Sequence, residues 1–315
     1  MTQQKFAFLF PGQGSQSVGM GEALAKRYRS ARDTFQEAND YLKTNLAQLA
    51  WSGPKEVLDQ TVNTQPAMLT HSVAVLRVIK ELRLTFDPMF IAGHSMGQLT
   101  ALVASDSLDF EQTILLTRTR GELMQKAGEE NPGGMAAVLG LDIEKIEEIC
   151  TEISKGPSVV QIANDNSPGQ TVISGDNESL ETAIERLREA GAKKVIRLAV
   201  SIAAHSPLMA TAQYEFQKFV NGSSLQAPHI PVIGNVSAAP LQTRSHLQQD
   251  LGEQLISRVR WTESINRMIA SGVTHFFELG NGNVLRGLVK RINRNVECTS
   301  VSSPDDIEKL MEFVS

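Results

Sequence analysis

The run Met89-Phe90-Ile91-Ala92-Gly93-His94-Ser95-Met96-Gly97-Gln98-Leu99-Thr100-Ala101-Leu102 joins a short apolar strand, a Gly-His-Ser-Met-Gly turn and an apolar helix end to end. A serine on so tight a strand-to-helix turn brings the backbones of its neighbours too close for a Cβ, which is the steric reason for Gly93 and Gly97. Such a nucleophile elbow leaves Ser95 Oγ exposed at the end of the strand. The following helix aims its unpaired N–H groups at that oxygen, the Met96 N–H foremost, where they can hold a developing oxyanion. His94 and Ser95 are adjacent on the turn, so His94 is expected to point away from Oγ and to be structural.

Other segments supply the fold that such a turn needs. Lys5–Phe10 is an apolar run expected to form a strand buried on both faces, closed by the glycine-rich loop Pro11-Gly12-Gln13-Gly14-Ser15-Gln16. A helix is expected over Met20–Leu42. Another is expected to open at Thr64-Gln65-Pro66, with Pro66 in its first turn. Strand and helix alternate, so the fold class is α/β, with a parallel sheet and functional residues at the carboxyl ends of its strands. Near Asn131-Pro132-Gly133-Gly134 the order changes to strand (135–139), helix (143–153), strand (159–164), strand (170–174), helix (177–190) and strand (194–198). That β-α-β-β-α-β order predicts a ferredoxin-like subdomain. It would occupy residues 130–198, inserted between residues 1–129 and 199–315 of one large domain. Further strands are expected at Val232–Val236 and His275–Leu279, and little functional content beyond about Asn293.

Composition bounds the function classes. With 315 residues, 41% of them hydrophobic, the chain can bury a large core. A net charge of −5 offers no basic footprint for nucleic acid or an anionic membrane. The polar lead-in Met1–Lys5 has no apolar signal core, and no window has the roughly 18 apolar residues of a membrane helix. A cytoplasmic location follows as the expectation. Cys150 and Cys298 are far apart and lack partners at ligand spacing, so no disulfide framework and no metal are expected.

A serine at its normal pKa needs a base. Of the six histidines, His205 stands at an apolar strand end meeting a helix start, in Val200-Ser201-Ile202-Ala203-Ala204-His205-Ser206-Pro207-Leu208-Met209. His71, His229, His246 and His275 lie in helix, loop or strand contexts without convergent polar residues. No motif singles out a triad acid. A Ser–His dyad oriented by a backbone carbonyl would need none. Arg120, read from the residues alone, is a solvent-facing helix arginine.

The set Phe10-Pro11-Gly12-Gln13-Gly14-Ser15-Gln16, Thr64-Gln65-Pro66-Ala67, Gly93-His94-Ser95-Met96-Gly97, Arg120-Gly121, Asn166-Ser167-Pro168-Gly169-Gln170, His205-Ser206-Pro207-Leu208-Met209 and Val259-Arg260-Trp261-Thr262 closely resembles the malonyl-CoA:acyl carrier protein transacylases of bacterial fatty acid synthesis. The resemblance spans about residues 5–292. It implies an α/β-hydrolase-like large domain with the inserted ferredoxin-like subdomain. It also implies a ping-pong transfer of malonyl from malonyl-CoA to the phosphopantetheine thiol of acyl carrier protein, with no cofactor and with the chain as a monomer. Ser95 would carry the acyl group and His205 would act as base and acid. Gln13, partly through its side chain, would join the Met96 N–H in the oxyanion hole, and Arg120 would clamp the malonyl carboxylate. Gln254 matches the residue that orients the histidine through its main-chain carbonyl. Gln65, Asn164, Asn166 and Asn235 match polar positions around the site, and each equally suits a loop or cap hydrogen bond. Arg118, two residues before Arg120, belongs to a different helix face.

Three departures from the family pattern stand out: Gln98 in place of a frequent Glu, Asn281-Gly282-Asn283 in place of Gly-Pro-Gly-Lys, and Ile202-Ala203-Ala204 before the histidine. Ala203 and Ala204 would form a small wall admitting some methylmalonyl. A trans-acting polyketide acyltransferase or an acyl hydrolase of the same family are the alternatives. A catalytically silent carrier-binding scaffold would have no need of Ser95, His205, Arg120 and Gln13 together.

Overall fold

Strands β1 (Phe6–Phe10) and β2 (Phe90–Gly93) pair in parallel, Phe10 opposite Gly93, so the glycine-rich loop and the serine elbow leave the sheet side by side. The computed structural model that contains them describes residues 5–84 and 87–314, and the lead-in Met1–Gln4 lies outside these. The remaining strands are β3 (Gly133–Leu139), β4 (Val160–Ser167), β5 (Gln170–Asp176), β6 (Lys194–Arg197), β7 (Val232–Ile233), β8 (Pro240–Leu241), β9 (His275–Leu279) and β10 (Glu297–Val301).

The large sheet has the order β10-β9-β1-β2-β7-β8, parallel except where β8 folds back on β7. The pleat of β1 explains its unbroken apolar run, because its alternate residues enter different cores. Phe8 and Phe10 join the cluster beneath the helices Arg29–Leu42, Thr61–Glu81 and Phe110–Glu130, whereas Ala7 and Leu9 meet Trp261, Ile265 and Leu288 on the opposite face.

The second sheet runs β4-β5-β3-β6, antiparallel throughout, with the helices Ile143–Ile153 and Asn177–Glu189 covering one face through Ile146, Ile149, Leu180, Ile184 and Leu187. This is the ferredoxin-like arrangement, set beside an α/β-hydrolase-like sheet. Its other face, with Met135, Ala163 and Val172, packs toward Ala204 and the large sheet's side of the molecule. The two layers are joined by backbone. Val259 N–H donates to the Ala163 carbonyl at 2.8 Å, and Asp165 N–H donates to the Val259 carbonyl at 3.0 Å. Thr262 Oγ1 adds a bond to Asp165 Oδ1 at 2.8 Å.

Several elements depart from the sequence reading. The helix expected over Met20–Leu42 is two helices, Glu22–Arg27 and Arg29–Leu42, because Tyr28 is extended (φ −114°, ψ 133°) while its N–H still caps Leu24. The helix expected from Thr64 begins at Thr61, so Pro66 lies within it and not in its first turn. The strand expected over Val232–Val236 shrinks to two residues, since the Gly234 and Asn235 amides turn away to Ala239 and Asp250. Beyond Asn293, β10 completes the sheet edge and a helix spans Pro304–Val314. No described helix is long and apolar enough to cross a membrane.

Candidate active site

The elbow is built as its glycines predict. Ser95 has φ +51°, a left-handed conformation that costs a non-glycine residue on the order of 1 kcal/mol or more and is held only where the surroundings enforce it. A Cβ on Gly93 would lie 2.0 Å from the Gly97 carbonyl carbon, and one on Gly97 would lie 2.2 Å from the Phe10 carbonyl oxygen. Asn235 enforces the turn from below: its Oδ1 accepts from Ser95 N–H at 2.7 Å, and its Nδ2 donates to the Gly93 carbonyl at 2.8 Å.

His205 Nε2 lies 2.8 Å from Ser95 Oγ, and its Nδ1 lies 2.8 Å from the main-chain carbonyl of Gln254. A carbonyl only accepts, so Nδ1 carries the proton and the Nε2 lone pair faces the serine hydroxyl. Burial, with the Arg120 charge adding to it, pushes His205 down to about 3. The imidazole is therefore neutral at physiological pH, ready to accept a proton.

Arg120 is the largest surprise in the site. Instead of facing solvent it is 1% exposed, and burial pushes it down to about 9. Its Nη1 donates to Gln65 Oε1 at 2.8 Å, and its Nη2 donates to Gln254 Oε1 at 2.8 Å and to Ser95 Oγ at 3.2 Å. All three acceptors are neutral. A guanidinium in this position is a buried cation without an anion, which costs several kcal/mol unless a ligand supplies one.

From Arg120 the polarity of a chain of amides is forced. Gln254 must accept through Oε1, so its Nε2 donates to the Ser95 carbonyl at 3.1 Å and to Gln98 Oε1. Gln98 Nε2 in turn donates to Asp250 Oδ1 at 2.9 Å. Asp250, 3% exposed, also accepts from Asn235 N–H, Ser237 N–H and Ser237 Oγ at 2.8, 3.1 and 2.9 Å. Sequence reasoning missed this carboxylate. The signal was present: Leu247, Asp250 and Leu251 share the buried face of the helix Arg244–Glu253 at i, i+3, i+4 spacing.

The other expected residues are spread around this centre. Asn166 Oδ1 pairs with His94 Nε2 at 2.8 Å, and His94 stacks edge-on against Trp261, away from Oγ as the turn requires. Gln65 braces Arg120 and reaches Met124 Sδ at 3.4 Å. Asn164 is buried at the β4 bridge to Val259. The Gln13 side chain is turned to Thr61 Oγ1 at 3.1 Å, so its amide group does not face Ser95. Among the described residues neither the Gln13 N–H nor the Met96 N–H has an acceptor, which leaves two backbone donors for an oxyanion. Arg118 points to Asn63 Oδ1 at 3.1 Å, away from Arg120. Ala203, of the expected alanine wall, is fully buried against Gly133, and half-buried Ala204, next to His205 in the chain, packs against Met135, Ala163 and Val172. A cleft of about 720 Å³ opens between the Gln13 loop, the end of the helix Phe110–Glu130 and the small sheet's edge, lined by Gln13, Thr61, Glu129, Arg197, Ser201 and Ile202. No three His, Cys, Asp or Glu side chains among the described residues are grouped to hold a metal ion.

The family model of the acyl transferase domain matches residues 7–302. The chain belongs to the acyl transferase family. This acyltransferase is 44% identical over 304 residues to the malonyl CoA-acyl carrier protein transacylase of Bacillus subtilis, covering 96% of this chain and 95% of the relative. It superposes on an acyl-carrier-protein-S-malonyltransferase from Bartonella henselae with TM-score 0.94 and 40% identity, each chain covered to 99%. A malonyl-transacylase solved in complex with a type II PKS acyl-carrier protein matches with TM-score 0.95 and 39% identity, over 98% of the acyltransferase and 100% of that chain.

Proposed function

We propose that this acyltransferase moves malonyl from malonyl-CoA to the phosphopantetheine thiol of an acyl carrier protein, as a cytoplasmic monomer serving fatty acid synthesis. The observation that carries the reading is the unpaired Arg120 guanidinium, buried 3.2 Å from Ser95 Oγ and partnered only by neutral groups. A substrate bearing a carboxylate a few ångströms from its reacting carbonyl supplies the missing charge, and a planar fork suits two parallel bonds to it. The curated relatives and solved neighbours named for malonyl transfer support the same choice.

Ser95 Oγ attacks the thioester carbonyl while His205 Nε2 takes its proton. The oxyanion rests on the Met96 and Gln13 N–H groups. Collapse breaks the C–S bond, and the imidazolium returns the proton to the departing thiolate. In the second half-reaction the carrier's thiol gives its proton to His205 and attacks the seryl ester. Collapse then restores Ser95 with that proton. Residues 130–198 act in this reading as an inserted unit closing one side of the cleft, with 1–129 and 199–315 as the catalytic body. Gln65 and Gln254 hold the clamp, Asn166 braces His94, and Asn164 joins β4 to Val259 beneath the site. No metal or organic cofactor has a part in these steps.

Intact-mass spectrometry after mixing with malonyl-CoA tests the proposal. A malonyl adduct is expected on the wild type at Ser95 and none on Ser95→Ala. An unmodified wild type would overturn it. The carrier in the solved complex is a type II PKS protein, so the second half-reaction is to be compared with fatty-acid and polyketide carriers side by side.

A further inference from the structure

His205 has φ +59°, the second left-handed non-glycine residue at the site, and its ring is held between Ser95 and the Gln254 carbonyl, with the Ser257 backbone also in reach. Its own carbonyl is held by a residue from the other sheet. Gln161 Nε2, on β4, donates to the His205 carbonyl at 2.8 Å and to the Ile256 carbonyl at 3.0 Å. One amide group thus spends both hydrogens on two main-chain oxygens, one in the segment that carries the base and one two residues beyond Gln254, which orients it. The pleat explains how it reaches them: Val160 and Ile162 enter the core beneath the small sheet's helices, which turns Gln161 and Ala163 to the opposite face. The residues that follow on β4 are tied to Val259 by backbone bonds, so the Gln161 side chain starts from a fixed base.

We infer that Gln161 is a positioning residue for the acyl transfer, which sets the distance between His205 and the Gln254 carbonyl by clamping the two segments that bear them. The inference rests on the reading of His205 as the base. Without the clamp the left-handed turn at His205 has one fewer restraint, and Nε2 loses its fixed approach to Ser95 Oγ. Positioning errors of about 1 Å at a reacting pair cost on the order of 100-fold in rate. Among the described residues the Gln161 side chain makes its hydrogen bonds to the His205 and Ile256 carbonyls and none to Arg120 or the Gln13 loop, so binding of malonyl-CoA is expected to be preserved.

The test uses the full chain with Gln161→Met, which keeps the volume and removes both donors, Gln161→Glu, which keeps the shape and sets a carboxylate against two carbonyls, and Gln161→Ala. Malonyl transfer and the labelling of Ser95 by phenylmethylsulfonyl fluoride are followed together with thermal melting. Gln161→Met and Gln161→Glu are expected to lower kcat and the labelling rate by the same factor, about 10- to 100-fold, with KM for malonyl-CoA within about twofold. In a His205→Ala background the Met substitution is expected to have no further effect on labelling. Wild-type kcat in Gln161→Met would overturn the inference, as would a loss confined to KM or a labelling defect that persists unchanged without His205. Unimpaired His205→Ala would instead overturn the reading of the base, and the inference with it.

Discussion

Arg120→Met removes the buried cation while keeping a long apolar side chain in its place. A carboxylate about 4 Å from the guanidinium, at the effective dielectric of roughly 20 that suits partly buried pairs, gains about 4 kcal/mol. That falls within the range of about 2–5 kcal/mol seen when one partner of a buried hydrogen-bonded charge pair is removed. The expected loss in kcat/KM for malonyl-CoA is therefore about 30- to 4,000-fold. Acetyl-CoA has no carboxylate to clamp and is expected to lose no more than about tenfold, through the weaker Nη2 contact with Ser95 Oγ at 3.2 Å. Steady-state kinetics with both thioesters and one carrier protein measures the two factors. Removal also leaves Gln65 Oε1 and Gln254 Oε1 without their donor, each worth about 1–3 kcal/mol, while relieving the buried charge, so melting is recorded alongside. Equal losses for malonyl and acetyl transfer, at unchanged melting, would refute the clamp.

His205, held down to about 3 by burial and by Arg120, must be neutral to act, so the acid limb of kcat/KM is expected well below pH 6.5; a limb near 6.5 would contradict the buried, Arg120-facing imidazole. Once a malonyl carboxylate offsets the Arg120 charge, the limb in kcat is expected to move upward relative to that of kcat/KM. His71 (about 4) and His205 bind protons more readily unfolded than folded, so each is expected to lower stability as pH falls below about 6.5, by up to about 1.4 kcal/mol per pH unit; urea midpoints that stay level from pH 7 to 5 would contradict this. Ala204→Phe is expected to suppress methylmalonyl transfer relative to malonyl by about 1–3 kcal/mol of discrimination, read as the ratio of kcat/KM values, and an unchanged ratio would remove residue 204 from the specificity wall. Gly93→Ala sets a Cβ 2.0 Å from backbone that cannot give way, and is expected to cost about 3 kcal/mol or more in urea denaturation; a wild-type midpoint would refute the steric account of the elbow.

The elbow and the small sheet were legible because their signals are local. Gly93 and Gly97 bracket a turn within five residues, and the 135–198 run keeps strand and helix periods throughout. What escaped depends on distant partners. The break at Tyr28 leaves the apolar faces on either side in phase, so periodicity passes over it. The start at Thr61 has no side-chain cap to announce it, Gln60 offering none. Arg120 is buried only because Gln65 and Gln254, 55 and 134 residues away, bring neutral oxygens to it. Asp250 escapes a motif reading although helical spacing puts it among leucines, because it makes no bond to the histidine. It is joined to the site through Gln98 and Asn235.

The backbone ladder between β4 and Val259 gives the cleft the mechanics of a single block. Separating the two layers at this edge would have to break the bonds of Ala163 and Asp165 to Val259. The spacing of the two layers at this edge is thus fixed with the fold itself.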